Sequence, residues 1–388
     1  MMRVLTVNVG SSSVKLRVVG EDGRVTAEGS PTREAIEDPE ALSSLLERVG
    51  PFDAVGHRLV HGGSRLTESV VVDPAVRAAL DELVPLAPLH LPPALAALDA
   101  LARLRPELPA VACFDTAFHA TLPEEAVAYA LPQHWVARWG LRRFGFHGLS
   151  CSWAWARTAE QLGWAPGEGR AVICHLGAGA SATAVAGGRS LDTTMGFTPL
   201  EGLVMATRAG DVDPGLVVWL LEQGLEVSVL SDGLEHRSGL AGLWRDPDGD
   251  LRSLLAARRE GDARAARAMG VYTHRLRAKV AAMAAATGGL DALVFTGGVG
   301  EHAPEVRAET CAGLAFLGVA LDDALNQAEA ETEAARDLSA PGAPEAVRDL
   351  SAPGALVRTL VVPAREDAVI AAECRRLLAR PPGGRAHP

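Results

Sequence analysis

Apolar residues along this chain fall in short runs, separated by polar or glycine-rich turns and by longer stretches of helical spacing. Val4 to Val9 alternates toward a turn and Val14 to Val19 reads as a returning strand, so the serines between them cap a β-hairpin. A related pattern recurs downstream, where "AVICHLGAGASATAVAGGRS" predicts strand, Gly- and Ser-rich turn, strand, and a second turn at Gly187-Gly188. Gly10 and Gly177 stand 167 positions apart, which suggests two domains that open alike. "AVGHRLVHGG" and "AVACFDTAF" read as strands running into loops, whereas "CSWAWARTAEQLG" and "DARAARAMGVYTHRLRAKVAAMAAA" have helical character. "LDALVFTGGVGEHAPEVRAET" predicts strand, Gly-rich loop and helix, with Pro304 near the helix start. Strands alternating with helices indicate an α/β protein. "RDLSAPGA" occurs at 336–343 and again at 348–355, and two such copies read as a duplicated surface loop, not a solenoid.

Length and composition narrow the classes. At 388 residues the chain exceeds what one core usually serves, so two domains are expected. Its net charge of −11 argues against nucleic acid and anionic membranes, although a few placed cations would still hold a small anion. The most apolar stretch, "VAAMAAATGGLDALVF", is broken by two glycines and Asp291, so no membrane span is expected. Five cysteines without a Cys-x-x-Cys pair suit reduced thiols. With no signal-peptide pattern in "MMRVLTVNVG", the expected location is cytoplasmic.

Candidate chemistry sits at the ends of the apolar runs. "NVGSSSVK" looks suited to phosphate, yet it lacks the second Gly of a P-loop. "GAGASA" at 177–182 and "GVGEHA" at 298–303 carry Gly-x-Gly-x-x-Ala, but the first leads into a strand and the second lacks a clear βαβ unit. Close backbone approach to a nucleotide and a plain tight turn both explain them. His57 and His61 are four apart without the Glu of a zinc helix, and a structural role is favoured for both. On a strand, Arg58 and Val60 would share the face opposite His57, Leu59 and His61, setting a guanidinium beside a small apolar side chain. Asp115 follows a strand, where either a catalytic carboxylate or a turn-forming Asp belongs. His147 lies among phenylalanines and glycines that would let it approach a ligand, and Arg208 lies in a polar, Gly-bearing loop.

Read together and in order, "NVGSSSVK", "VGHRLVHGG", "LAPLH", "FDTAFH", "RRFGFHG", "CHLGAGAS", "DTTMGFTPLEGLVMATRAGDVDPG" and "FTGGVGEHAPEVR" resemble the acetokinase family along nearly the whole chain. The resemblance implies two duplicated actin-like (ribonuclease H-like) α/β domains with a nucleotide cleft between them. Residues 1–150 would form the first, completed by a C-terminal helix at 368–388, and 151–367 the second. It implies reversible phosphoryl transfer from ATP to acetate, with Mg2+ (or Mn2+) as cofactor and a homodimer as the assembly. Asn8, Ser11, Ser13 and Lys15 would face phosphate, joined by His175, Gly177 and Gly179. Gly297, Gly298, Val299, Gly300 and Glu301 match the nucleotide loop, and Asp250, Leu251 and Arg252 an adenosine-contacting stretch. Arg58, Arg208, Asp115 and His147 match catalytic positions, and Val60, Leu89, Phe146 and Pro199 the acyl pocket. Asn8 and Glu366 would serve the metal. Acetate is already a carboxylate at neutral pH, so Asp115 is read as aligning an arginine or a metal-bound water.

The chain departs from the family pattern at Leu91 (for "LHNP"), Ala178 (for "GNGAS"), Leu149 and Cys151 (for "GFHGTSH") and "ARED" (for "TNEE"). Ala178 bears on nucleotide affinity. Two alternatives stand beside acetate kinase: a propionate or butyrate kinase, and an inactive actin-like nucleotide sensor. Small Val60 favours acetate or propionate.

Overall fold

The computed structural model describes residues 2–10, 14–244, 246–327 and 346–379. Strands β1 (Val4–Val9), β2 (Val14–Val19) and β3 (Val25–Gly29) form an antiparallel meander. On the other side of β1 lie β4 (Ala54–Leu59) and β6 (Ala110–Phe114), both parallel, and β5 (Val70–Val71) closes the edge antiparallel to β6. The second sheet uses β7 (Arg170–Leu176), β8 (Ala180–Ala186), β9 (Arg189–Thr193), β10 (Ala292–Thr296), β11 (Arg348–Asp349) and β12 (Arg358–Val361). Its order, 9-8-7-10-12-11, repeats the first sheet's 3-2-1-4-6-5 strand for strand, including the antiparallel edge. The two similar hairpins in the sequence are thus the openings of a duplicated fold.

Burial explains the composition of the strands. β1 and β10 are apolar almost throughout because helices cover both faces of each sheet, so alternation has no solvent side to mark. The helices Pro39–Val49 and Leu91–Leu104 cover one face of the first sheet, and the 24-residue helix Ala263–Ala286 covers one face of the second. Asp262 starts that long helix by accepting from the amides of Arg264 and Ala265. Between the sheets lie Gly148–Leu162 and Glu366–Leu378, which pack on each other, the first also against β7 and β10 and the second against β1, β4 and β6. The last helix therefore starts two residues before the expected 368, and its expected extension to 388 lies outside the described residues beyond Ala379.

Three sequence expectations change. The second copy of "RDLSAPGA" is not a surface loop: Arg348 and Asp349 form the edge strand β11, Leu350 is fully buried, and Ser351 bridges to Leu321. The first copy lies outside the described residues. The expected loop at Gly297 is a short helix, Gly297–His302, followed at once by Pro304–Ala312; Gly297 takes φ +77° and turns the chain out of β10. β4 stops at Leu59, so strand alternation does not extend to Val60 and His61.

Gly56 on β4 faces the last helix so closely that a Cβ there would overlap Ile370 and Cys374. Gly56→Ala should therefore push this helix outward and lower stability by about 1–3 kcal/mol. Urea unfolding checks this, and an unchanged midpoint would mean the helix sits less tightly than its contacts indicate.

Candidate active site

The carboxyl-terminal ends of β1 and β4 and those of β7 and β10 face one cavity of about 360 Å3, where ligands of open α/β sheets collect. From the first sheet come Asn8, Lys15, Arg17 and Arg58; from the second, His175, Gly177, Ala178, Gly179, Gly297 and Gly298. Thr6, His147, Ala364, Glu366, Asp367 and Ile370 complete the wall. Lys15, Arg17 and Arg58 face Glu366 and Asp367, leaving a small positive excess suited to an anion.

Ladder register puts the central charges together. Asn8 pairs with Arg58 across β1 and β4, and the Asp115 amide donates to the Leu59 carbonyl just beyond the β4–β6 ladder. Arg58 then grips Asp115 with two prongs, Nε to Oδ1 at 3.0 Å and Nη2 to Oδ2 at 2.5 Å. Its Nη1 donates to Asn8 Oδ1 at 3.0 Å, while Asn8 Nδ2 donates to Glu366 Oε2 at 2.7 Å. Burial pushes the Asp115 carboxyl upward and Arg58 opposes that shift. On Arg58, burial works against the charge, but Asp115 and Glu366 outweigh it and hold the guanidinium above its ordinary range.

His147 is the only described non-glycine residue with positive φ, at 59°. A bulky side chain in that region costs energy, and such outliers concentrate at functional sites. Its ring stacks on His175 at 4.2 Å, and its Nδ1 lies 2.9 Å from Ser181 Oγ. Burial, with His175, Arg58 and Arg208 nearby, keeps His147 well below the usual histidine value, hence neutral. The flanking glycines serve packing: a Cβ on Gly148 would overlap the Asp115 carbonyl, and one on Gly145 the His119 ring.

Arg208 reaches the same region from the second sheet's side. Its Nη2 donates to His90 Nε2 at 3.1 Å and its Nη1 to the Pro199 carbonyl at 3.4 Å. At Gly179 a Cβ would stand 3.4 Å from Arg208 Nη1 and 3.5 Å from His147 Nε2, so the missing side chain leaves a gap in front of both. Val60 and Phe146 are buried in one apolar cluster, Pro199 is buried, and Leu89 is about half exposed.

Other candidates sit apart from the cavity wall. Asp250 caps the helix Leu251–Arg259, Leu251 packs in the core, and Arg252 is exposed. Val299 packs on the core, Gly300 is buried, and Glu301 Oε1 accepts from the Ala364 amide at 3.0 Å. Ser11 and Ser13 lie outside the described residues. His57 and His61 are buried, His57 in the sheet and His61 against Phe144 and Phe146. Of Leu91, Leu149, Cys151 and Ala178, only Ala178 lines the cavity. Sequence reasoning missed Arg17 on the cavity wall and Glu235 beside Arg208; His90 was visible within "LAPLH", but without a role.

The acetokinase family model matches residues 43–372. The chain belongs to the acetokinase family. Acetate kinase of Thermotoga maritima is 39% identical over 413 residues, covering 97% of this chain and 99% of that protein. Acetate kinase of a Synechococcus strain is 45% identical over 335 residues, covering 86% and 79% respectively. The crystal structure of Porphyromonas gingivalis acetate kinase superposes with a TM-score of 0.86 at 36% identity, covering 97% of this chain and 100% of that one. A propionate kinase from Francisella tularensis superposes at 0.85 with 29% identity and the same coverage. This acetokinase is thus a short-chain carboxylate kinase with ATP as co-substrate, built on the duplicated α/β fold described above.

Buried neutral histidines give the protein a defined acid sensitivity. Burial draws His57, His61, His90 and His119 from the ordinary 6.5 down to about 4, with Arg208 and Arg58 adding to the effect at His90. Their contribution to stability is complete above pH 6.5 and is lost as pH falls toward 4; Asp115, shifted upward, acts in the opposite sense. Unfolding at pH 5 should take up roughly three protons from these groups. Calorimetry in buffers of different ionisation heat measures that uptake, and a melting temperature flat between pH 7.5 and 5 would contradict it.

Proposed function

We propose that acetate, with propionate as a slower alternative, is the acceptor, and that the phosphoryl group passes directly from ATP to the carboxylate. The bond from a carboxylate oxygen to the γ-phosphorus forms as the bond to the β–γ bridging oxygen breaks, leaving ADP. No proton moves, so no general base is needed, and catalysis reduces to placement and charge compensation. The observation that carries this reading is that neutral His147 meets Arg208 across the gap at Gly179 and shares the glycine-walled cavity with Arg58. Arginine holds carboxylate and phosphoryl oxygens with a planar fork, and neutral His147 donates an N–H without adding charge. Asp115 fixes Arg58, and Val60, Phe146 and Pro199 bound the acyl group. Gly177–Gly179 and Gly297–Gly298 admit the nucleotide's phosphates close to the backbone, with Lys15 beside them.

Among described residues, no three His, Cys, Asp or Glu cluster as a metal site. Glu366 nevertheless suits Mg2+, which takes one or two protein oxygens and completes its shell from water and substrate phosphates, whereas the Asn8 amide oxygen is turned to Arg58. When bound, the ion would neutralise phosphate charge. Two lobes, 1–150 with the last helix and 151–367, would then close on the nucleotide, a reading supported by the packing of Glu366–Leu378 on the first sheet. Five buried free thiols favour the cytoplasm, and no described helix is long and apolar enough to cross a membrane.

Hydroxamate trapping with ATP, Mg2+ and acids of increasing length tests the reaction. Acyl phosphate should form fastest from acetate, and Val60→Ala should shift the ratio several-fold toward propionate, since a buried methylene is worth about 0.8 kcal/mol. A preference for butyrate would refute the assigned acceptor. Arg58→Ala and Arg208→Ala should each lower kcat about 100-fold or more, with far smaller effects on the KM for ATP. Arg58→Ala also strands buried Asp115 at a cost of about 3–5 kcal/mol, so circular dichroism must accompany the kinetics. Near-normal turnover in both folded variants would refute the mechanism.

The helices Pro214–Glu222 and Val227–His236 support a homodimer. Leu216, Val218, Trp219, Val227 and Val229 are 44–70% exposed and form an apolar surface beyond what a solvated face needs. Light scattering should give twice the 40.5 kDa chain mass, and Trp219→Glu should halve it. A monomer at micromolar concentration would exclude the assembly.

A further inference from the structure

Arg208 has an anionic neighbour that the mechanism above leaves unused. Its Nε lies 3.3 Å from Glu235 Oε2, and both side chains are more than four-fifths buried. That Glu235 oxygen is fully shielded from solvent and has no hydrogen-bond partner, so the ion pair is its compensation. Glu235 also stands in the last turn of the helix Val227–His236, where the helix dipole disfavours a negative charge. An exposed rotamer would avoid both costs. The backbone nevertheless fixes the two groups together: Thr207 Oγ1 donates to the Glu235 carbonyl at 2.9 Å, the Ser238 amide to the Thr207 carbonyl at 2.9 Å, and the Ala209 amide to the Leu234 carbonyl at 3.2 Å.

We propose that Glu235 is a positioning residue for phosphoryl transfer, clamping the Nε edge of Arg208 so that its Nη1 faces the transferring group. With Nε facing Glu235, Nη1 is turned to the gap at Gly179, opposite His147 Nε2. Without this hold only the His90 and Pro199 contacts restrain the guanidinium, and the planar fork loses part of its aim. The carboxylate also offsets the charge of Arg208, which limits how tightly an anion is held in front of it. Burial draws Arg208 below its ordinary range and Glu235 counteracts that.

The inference rests on the kinase reading, and the experiment separates the two. Glu235→Ala, Glu235→Gln, Arg208→Ala and the double alanine variant are compared with the wild type by hydroxamate trapping. Glu235→Ala should lower kcat about 10-fold or more with the KM for ATP within about twofold, because the loss lies in the transition state. Glu235→Gln keeps a polar oxygen of the same size and place against the Nε edge and should return to within about threefold of wild-type kcat. The double variant should be no slower than Arg208→Ala, since the two losses share one pathway. Normal turnover in Glu235→Ala, failure of Gln to rescue, or a fully additive double variant would each overturn the assignment. If the wild type makes no acyl phosphate, the kinase reading fails, and calorimetric titration with sulfate decides Glu235 alone. Glu235→Gln should then bind sulfate several-fold tighter than wild type, with the gain absent when Arg208 is alanine; equal affinities would overturn the role. The same titration decides the case if Glu235→Ala does not fold.

Discussion

A guanidinium buried against a carboxylate at the ends of three parallel strands is the constraint on which the site depends. Asp115 is 1% exposed and Arg58 14%, so both have given up most of their hydration. Such a pair repays that loss only when geometry is good and the remaining donors and acceptors are used. The sheet supplies the geometry. Register sets Asn8 beside Arg58, and the Asp115 amide on the Leu59 carbonyl fixes where the carboxylate leaves β6. A slip of one residue would turn all these side chains to the opposite face, so the charge cluster depends on the ladder register being kept.

Duplication shows that the pair is not required by the fold. In the second sheet the Val362 amide donates to the Phe295 carbonyl as the Asp115 amide does to Leu59. By that register Arg58 corresponds to Val294 and Asp115 to Val362, both almost completely buried. One half closes the same ladder with two valines and the other with an ion pair. Since apolar replacements of buried pairs are often as stable, the charged version is explained by what faces it, the cavity. The halves have divided the work: the first carries cations and carboxylates, and the second carries the glycines that bring backbone close.

Much of this was legible from residues. Strand runs, the two Gly-rich hairpins and the helix starts at Asp262 and Pro304 appear in order, because turn and capping chemistry is local. The ends of strands were marked by Arg58 and Asp115, whose charge stands out against apolar runs. Less legible was anything set by packing between distant segments. Arg348 and Asp349 look like loop residues and become an edge strand only because β12 offers a ladder. The glycines around His147 look like ligand-facing freedom, yet Gly145 and Gly148 are demanded by His119 and the Asp115 carbonyl. Glu235 had no local signal at all, because its significance lies in Arg208, on a separate loop 27 positions earlier.

Arg58 and Arg208 are thus each held by a carboxylate, Arg58 by Asp115 and Arg208 by Glu235, and the holds differ in kind. Asp115 takes two prongs of Arg58, whereas Glu235 stands at a single edge of Arg208 without hydrogen-bond geometry. A bidentate pair resists rotation and translation together, so Arg58 is a fixed point. A one-edged ion pair, even with the neutral His90 and Pro199 contacts of the terminal nitrogens, restrains less than a bidentate one, which suits an arginine on a loop opposite a fixed partner. If the lobes approach one another over a nucleotide, the adjustment then falls on Arg208. On the mechanism proposed above, the rigid cluster on the first sheet would set where the acceptor carboxylate lies, and Arg208 would follow the phosphoryl group toward it.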